Sequence, residues 1–382
     1  MVKKKVLLVV GTRPELIKVA PVVKEFQRRN LHDHFILINT AQHKDLLEPY
    51  WKIFDIQADV NLDVMQENQS LTGLTIRVLD QFQKFISSIR EEVGGILAQG
   101  DTTTVLGVSM VAFFNQIDFY HLEGGLRSFD LANPFPEEFN RKVGSIAARI
   151  HFCPTETAKQ NLLREGYDSS YIEVVGNTVV DALEEIKIKS NGSPVWDHHE
   201  FNSWIKSDYP LVFITCHRRE NQGKNLAMII ESIKELADEN PTMQFIWITH
   251  PNPNILQPVM ESGISSIKNI LVTRPLSYTD IIKLLSVSSL AISDSGGVQE
   301  EAPSFGVPVL VLREATERPE GIHAGASILV GADKSRLKNG FYQFIQRRNP
   351  QMQNPYGDGK SAARVVDRIL LELQKTNNKP HQ

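Results

Sequence analysis

Cysteine is scarce in this sequence, with Cys153 and Cys216 the only two in 382 residues. Two thiols are too few for a disulfide framework or a zinc ribbon, so we predict that both are buried as small apolar side chains. No apolar run approaches the roughly 20 residues of a membrane span. The apolar stretch after Lys3-Lys4-Lys5 is too short for the core of a signal peptide. We therefore expect a cytoplasmic protein with no membrane partner.

Neither sign of charge dominates, and several familiar catalytic motifs are missing. The chain has 41 basic and 45 acidic residues, which leaves a net charge of −4 and no basic block. This balance argues against nucleic acid as a partner. The sequence contains no HExxH, no GxxxxGKS or GxxxxGKT, and no GxSxG. Zinc proteolysis, P-loop hydrolysis and serine-esterase chemistry therefore have no support.

The sequence does contain a regular alternation of short β-branched runs and helical patterns, which predicts an α/β protein with parallel sheets. Its length and its 41% of apolar residues suit about two domains. The predicted strands are at residues 4–10, 34–39, 95–98, 117–122, 150–153, 172–175, 211–215, 244–249, 270–273, 290–293 and 308–312. A polar stretch at 187–203 separates the two series. We predict Rossmann-like domains at 1–185 and 200–358, and a helix and tail at 359–382 that can cross back to the first domain.

The segment 293–309, SDSGGVQEEAPSFGVPV, is typical of a nucleotide site. It is predicted to form a strand end, a tight turn at Ser295-Gly296-Gly297, a helix and a returning strand. The glycines let a ligand approach the backbone, and the helix start offers N–H groups to a pyrophosphate. Glu300 and Glu301 follow one turn later, where a carboxylate can bind a ribose diol. A turn that only joins a strand to a helix would show the same glycines, so the interpretation needs support elsewhere.

Such support comes from charged residues at other predicted strand ends and helix starts, where open α/β sheets bind ligands. They are Arg13, Lys18, Asp101, Glu123, Glu137, His217 and Arg318. Taken singly, Glu137 could be a charge favouring a helix start, Arg318 a surface ion pair, and His217 a histidine that ends a strand. If the two domains face one cleft, the whole set suits acid–base chemistry on a phosphate-bearing substrate.

The order and spacing of the motifs resemble one family. The runs are GTRPELIKVAP, AQH, QGDTTT, HLEGGLR, PFPEEFNR, HRREN, SDSGGVQEEAPSFGVPVLVLRE, TERPEGI and NPYGDGK. They are similar to those of the non-hydrolysing UDP-N-acetylglucosamine 2-epimerases over nearly the whole chain, and Gly11-Thr12-Arg13-Pro14-Glu15 favours that branch over the hydrolysing one. The resemblance implies the glycosyltransferase-B-type fold, two Rossmann-like doubly wound domains facing a cleft, and a homodimer.

The resemblance also implies an activity and roles for individual residues. UDP-N-acetylglucosamine and UDP-N-acetylmannosamine would be interconverted at C2 by elimination of UDP to a glycal and its re-addition. Asp101, Glu123 and Glu137 are the acid–base candidates, without individual assignment, and His217 contacts the diphosphate or shuttles a proton. The expected substrate contacts are Arg13, Lys18, Ser295, Gly296, Gly297, Glu301 and Arg318. No metal or other cofactor is implied, because protein cations can neutralise the leaving group.

Three other functions remain open from the sequence. The same chemistry could act on a modified UDP-sugar such as a diacetamido-uronate, where an extra cationic contact would be expected. A retaining glycosyltransferase would share the fold and the ribose-binding glutamate but would require an acceptor. A nucleotide-sugar sensor would bind without turnover, which the full set of carboxylates disfavours.

The sequence departs from the family pattern where many bacterial members bind a second substrate molecule as an activator. Gln42, His43 and His250 are retained, but Asp45 replaces a glutamine and Asn68 replaces an arginine. Gaining an anion and losing a cation both disfavour a diphosphate, although two surface loop residues could also have drifted without consequence. We predict weak or absent activation, so that the reverse reaction from UDP-N-acetylmannosamine starts without a lag.

Overall fold

The computed structural model describes residues 3–42, 44–66, 70–190, 196, 198, 200–206 and 208–377. Within them the chain forms two compact units. The first contains the described residues up to Ile186 and from Tyr356 onward, and the second runs from Lys187 to Pro355. No helix in the described part of the chain combines the length and the apolarity needed to cross a bilayer.

The first unit alternates strands and helices from its beginning. Its strands are β1 (Lys5–Val10), β2 (Phe35–Asn39), β3 (Val60–Asn61), β4 (Val93–Gln99), β5 (Phe119–Leu122), β6 (Ala148–Cys153) and β7 (Ile172–Val174). The helices between and after them are α1 (Arg13–Arg28), α2 (Lys44–Phe54), α3 (Leu71–Ile89), α4 (Thr103–Phe114), α5 (Glu137–Ala147), α6 (Glu156–Arg164) and α7 (Thr178–Ser190), whose last residues belong to the second unit.

These strands form one parallel sheet in the order β3-β2-β1-β4-β5-β6-β7. The central strands are apolar almost throughout because helices cover both faces of a parallel sheet, and all of β4 is buried. Side-chain caps define the helix starts: the hydroxyls of Ser70 and Thr102 accept hydrogen bonds from the backbone N–H three residues later. The chain order reverses between β1 and β4, which creates a switch point at their carboxyl ends.

The second unit repeats this design with a sheet of its own. Its strands are β8 (Leu211–Thr215), β9 (Gln244–Ile248), β10 (Ile270–Thr273), β11 (Leu290–Ser293), β12 (Val309–Val311) and β13 (Ser327–Leu329). They form one parallel sheet in the order β10-β9-β8-β11-β12-β13. Its helices are α8 (Phe201–Trp204), α9 (Lys224–Glu239), α10 (Pro253–Glu261), α11 (Tyr278–Val287), α12 (Gly296–Glu301), α13 (Pro319–His323) and α14 (Lys334–Phe344). The switch point lies between β8 and β11.

The last helix, α15 (Ser361–Asn377), packs against α1 of the first unit. Arg29 forms an ion pair with Asp367 at 2.5 Å, and the backbone N–H of Ala362 donates to Asp181 at 2.9 Å. Arg29 directly follows α1 and Asp181 belongs to α7, so α15 is held to the first unit by polar as well as apolar contacts.

The predicted fold class is confirmed, with two refinements. Each unit contains an apolar cluster of its own, and the first unit contains a further, smaller one that includes Cys153 and Leu162. The sequence analysis missed β3 and β13, which have only two and three residues. Cys153 and Cys216 are free and buried, as predicted.

Candidate functional site

The first unit collects charged side chains where β1, β4 and β5 end. One pair joins Lys18 of α1 to Glu123, which directly follows β5. The ammonium of Lys18 donates to the two carboxylate oxygens of Glu123 at 2.7 and 2.9 Å, and both side chains are almost fully buried. Gln99 also donates to Glu123, and Asn177 lies at 3.4 Å. The backbone of Glu123 is left-handed, with φ 67°, a conformation that costs free energy in a residue other than glycine. The surrounding structure therefore holds the Glu123 side chain in a direction that an ordinary backbone would not give it.

Glu15 organises the turn after β1, a role that the sequence analysis did not assign. Its carboxylate accepts hydrogen bonds from the backbone N–H groups of Gly11 at 2.6 Å and Thr12 at 2.7 Å, and from the hydroxyl of Thr102. Burial raises the pKa of Glu15 to about 7, although these hydrogen bonds act in the opposite direction. The signal in the sequence was the spacing Thr12-x-x-Glu15, which is that of a capping box. Glu15 thereby ties the start of α1 to the start of α4.

Asp101, which follows β4, is bound to α5. Its carboxylate accepts from Nε of Arg141 at 2.9 Å and from Nη2 of the same guanidinium at 2.7 Å. The side chain of Asn140 donates to the backbone carbonyl of Asp101 at 2.8 Å. Arg141 in turn pairs with the fully buried Glu138 at 3.1 Å. Sequence reasoning had placed the run PFPEEFNR near the site but had not singled out Arg141 as the partner of Asp101.

Glu137 and Arg13 complete this side of the first unit, each as the first residue of a helix. Oε2 of Glu137 is buried and has no hydrogen-bond partner among the described residues. A buried polar atom that no protein group binds is unusual in a folded protein, and a catalytic role is one explanation for it. Arg13 is exposed. The first unit thus brings together Lys18 with Glu123, and Asp101 with the helix that begins at Glu137.

In the second unit, the turn after β11 supports Arg318. A Cβ added to Gly296 would lie 2.6 Å from Cζ of Arg318, so the absence of a side chain lets the guanidinium rest against the backbone. Arg318 donates to Glu300 at 2.6 Å and to Glu317 at 2.5 Å. The two neighbouring glutamates of α12 therefore have different environments, because Glu300 is held in an ion pair with Arg318.

Glu301 is held by a different partner. The hydroxyl of Tyr278 donates to Oε1 of Glu301 at 2.8 Å, and Glu301 is largely buried. Ser295 precedes α12, and its backbone N–H donates a hydrogen bond to the hydroxyl oxygen of Ser293 at 2.9 Å. Gly297 has only ordinary contacts around an added Cβ. Tyr278 was missed from the sequence because nothing in its local pattern indicates contact with a residue so far along the chain.

Further arginines surround Arg318. Glu317 also accepts from Arg313, at 2.8 Å. Burial favours the neutral form of Glu317, but the charges of Arg318 and Arg313 prevail and lower its pKa. Arg218 donates through Nε to the backbone carbonyl of Asp294 at 3.0 Å, and burial together with the nearby Arg313 lowers its pKa. This concentration of guanidinium groups is suited to a diphosphate.

His217 follows β8 in the same unit. Its Nδ1 lies 3.4 Å from Oδ1 of Asp294, and its ring stacks on that of His250 with centroids 5.6 Å apart. Of the residues in the predicted activator site, Gln42 accepts a hydrogen bond from Thr104 at 3.0 Å. His43, Asn68 and the side chain of Asp45 lie outside the described residues, so weak activation stays a prediction. In the described ranges no group of three His, Cys, Asp or Glu residues could hold a metal ion.

Comparison with known proteins agrees with the motif resemblance. The family model for UDP-N-acetylglucosamine 2-epimerase matches residues 24–370. The UDP-N-acetylglucosamine 2-epimerase of Neisseria meningitidis serogroup A is 40% identical over 375 residues, covering 96% of this chain and 99% of the relative. That of Campylobacter jejuni is 38% identical over 378 residues, covering 96% and 97%. The crystal structure of the Neisseria meningitidis enzyme bound to UDP-GlcNAc has a TM-score of 0.88 at 38% identity and covers 96% of this chain and 100% of that one.

Two doubly wound parallel sheets and these structural neighbours define an α/β enzyme with a glycosyltransferase-B-type fold. The chain belongs to the UDP-N-acetylglucosamine 2-epimerase family, and it is an epimerase, hence an isomerase. The family resemblance seen in the motifs is therefore confirmed. That the two sheets face a common cleft stays a prediction.

Proposed function

We propose that the protein interconverts UDP-N-acetylglucosamine and UDP-N-acetylmannosamine by the non-hydrolysing route, without a metal or other cofactor. The hydrogen on C2 is not acidified by a neighbouring carbonyl group, so direct removal and return of this proton would be very slow. Expulsion of UDP from C1 as C2 loses its proton gives a glycal. Re-addition of UDP with protonation of the opposite face of C2 gives the epimer and balances every atom.

This route needs a site for a departing diphosphate, which we assign to the second unit. Arg318 rests on the turn at Gly296, and Arg218 and Arg313 lie near it. Guanidinium groups stabilise the negative charge that develops on the leaving group. Glu301, oriented by Tyr278, is placed by this proposal on the ribose hydroxyls.

Proton transfer at C2 needs acid–base groups, which we assign to the first unit. The observation that carries the proposal is that its three candidate carboxylates have three different environments. Glu123 is paired with Lys18 and Asp101 with Arg141, whereas one buried oxygen of Glu137 has no hydrogen-bond partner within the described part of the chain. Removal of a proton from one face of a sugar and its delivery to the other require two positioned acid–base groups, and these carboxylates are the candidates.

The proposal is tested by incubating the protein with UDP-N-acetylglucosamine in deuterated water and following C2 by NMR. We expect the manno epimer together with deuterium at C2. A substrate carrying ¹⁸O between C1 and the β-phosphorus should in addition move this label into non-bridging positions, because elimination frees the phosphate to rotate. Epimer formation without label movement would contradict the glycal route, and bound nucleotide sugar with neither change would contradict the function.

We also propose that the protein is a homodimer through the helical layer formed by α3, α4 and α5, which pack side by side. This layer exposes large apolar side chains, namely Ile76, Phe113, Phe114, Phe139 and Ile146. Apolar side chains exposed in such numbers on adjacent helices are typical of protein–protein interfaces. A second copy of the chain could cover them symmetrically.

The dimer is tested with Phe114→Glu, which places a charge on this layer. Light scattering after size-exclusion chromatography should give half the native mass. Met260→Glu is the matched control, because Met260 is an exposed apolar residue of α10 in the other unit. A native protein that is already monomeric, or equal effects of both substitutions, would contradict the proposed interface.

We also propose a cytoplasmic location. Free thiols such as those of Cys153 and Cys216 persist in that compartment.

A further inference from the structure

Asp294 is a fully buried carboxylate at the carboxyl end of β11, and it binds one short loop from several directions. Its Oδ2 accepts hydrogen bonds from the backbone N–H of His217 at 2.9 Å, the backbone N–H of Arg218 at 2.9 Å and the side-chain amide of Asn221 at 2.9 Å. The thiol of Cys216 donates to the same oxygen at 3.3 Å. Asp294 therefore fixes the loop that follows the neighbouring strand β8.

The arrangement requires a carboxylate and not merely a polar side chain of the same shape. These hydrogen-bond partners of the Asp294 side chain are all donors, and an ionised carboxylate has only acceptors. An asparagine would offer a single acceptor oxygen, and its NH₂ group would face the backbone N–H of His217, which also donates to Oδ1 at 3.1 Å. Hydrogen bonds to an ionised acceptor are also about twice as strong as neutral ones.

The same carboxylate lies beside the imidazole of His217. Nδ1 of the ring is 3.4 Å from Oδ1 of Asp294, and one face of the ring stacks on His250 with an angle of 20° between the planes. A carboxylate next to one ring nitrogen favours the tautomer with the proton on that nitrogen. The distance is long for a hydrogen bond, but such contacts often shorten when the substrate binds.

We propose that Asp294 is a positioning residue of the epimerase, which acts through His217. It holds the backbone on which His217 stands and selects the tautomer with the proton on Nδ1. The opposite nitrogen, Nε2, is then an acceptor in the neutral ring and becomes a donor when the ring is protonated. This assignment depends on the proposed function, in which His217 contacts the diphosphate or shuttles a proton.

A double-mutant cycle separates action through His217 from a general structural role. We expect Asp294→Asn to lower kcat about 10–100-fold, by analogy with the loss of a group that orients a metal-binding histidine. In a His217→Gln background the same change should lower kcat less than about threefold, because the group on which Asp294 acts is gone. Cys216→Ala is the control, since it removes one donor to Asp294 without touching His217, and it should leave kcat near native. A full effect of Asp294→Asn in the His217→Gln background would overturn the proposal.

A second measurement needs neither turnover nor a stable Asp294 variant. In long-range ¹H–¹⁵N spectra of the native protein labelled at histidine, the signals lost in His217→Gln identify His217. We expect the neutral ring to show the pattern of a proton on Nδ1, and a proton on Nε2 would overturn the proposal. If the native protein had no epimerase activity, the proposed function would fail, while this spectrum would still show whether His217 carries its proton on the nitrogen that faces Asp294.

Discussion

Substituting alanine for Gly296 should displace Arg318 and weaken UDP binding without unfolding the protein. The added Cβ would lie 2.6 Å from Cζ and 2.8 Å from both terminal nitrogens of Arg318, closer than real contacts allow. The backbone of Gly296 is not left-handed, so alanine itself is tolerated there. The atoms that must move are the end of a long, flexible side chain. Folding should therefore be little affected.

The magnitude follows from what Arg318 would lose. Its guanidinium is held by Glu300 at 2.6 Å and Glu317 at 2.5 Å, and a displaced group cannot keep both ion pairs and the proposed diphosphate contact. A hydrogen bond to a charged group is worth about 1.5–3 kcal/mol. Since about 1.4 kcal/mol corresponds to a tenfold change, the dissociation constant of UDP should rise about 10–150-fold.

The assay is calorimetric titration with UDP, with thermal unfolding as a check on the fold. Gly297→Ala is the matched comparison: its Cβ would lie 3.7 Å from the nearest side-chain atom outside its chain neighbours, so it tests the approach of the ligand to the turn without displacing Arg318. In an Arg318→Ala background, Gly296→Ala should have almost no further effect. The reasoning would be refuted if Gly296→Ala bound UDP normally, or if Gly297→Ala weakened binding equally, since the cause would then be the ligand's approach to the turn and not Arg318.

Three further predictions concern single carboxylates. Glu137→Gln keeps the shape of the side chain but removes proton transfer, so kcat in the NMR epimerisation assay should fall about 10²–10⁴-fold while calorimetry shows unchanged UDP binding. Glu301→Ala should weaken UDP itself, and Tyr278→Phe should have a smaller effect in the same direction, because it removes only the group that orients Glu301. Glu15→Gln should flatten the dependence of the unfolding free energy on pH. Burial raises the pKa of Glu15 from 4.5 to about 7, so the folded state binds more protons than the unfolded state between these values, and native stability falls as pH rises through this window.

Each of these predictions has an outcome that contradicts it. Undiminished turnover in Glu137→Gln would remove Glu137 from the acid–base set. An unchanged dissociation constant for UDP in Glu301→Ala would move the ribose site elsewhere. Urea unfolding of Glu15→Gln with the native slope between pH 5 and pH 7 would show that Glu15 does not titrate there.

Local patterns in the sequence predicted most of the secondary structure, because strand and helix preferences act over a few neighbouring residues. β8, β10 and β11 begin and end where the β-branched runs do. β3 and β13 escaped notice because these two short strands are defined by their hydrogen bonds to β2 and β12 and not by a β-branched run of their own.

For the candidate site, the sequence determined which residue types stand at strand ends, and the motif order indicated the family. Only the tertiary structure decided how these residues combine. Lys18 and Glu123 meet across 105 positions and Asp294 reaches the loop at His217 across 77, and no local pattern encodes such contacts. Burial, which raises the pKa of Glu15, likewise depends on elements that fold over it from elsewhere in the chain. Local sequence patterns can thus predict which chemical groups a site contains. The hydrogen-bond partners and the ionisation of these groups depend on how distant parts of the chain pack together.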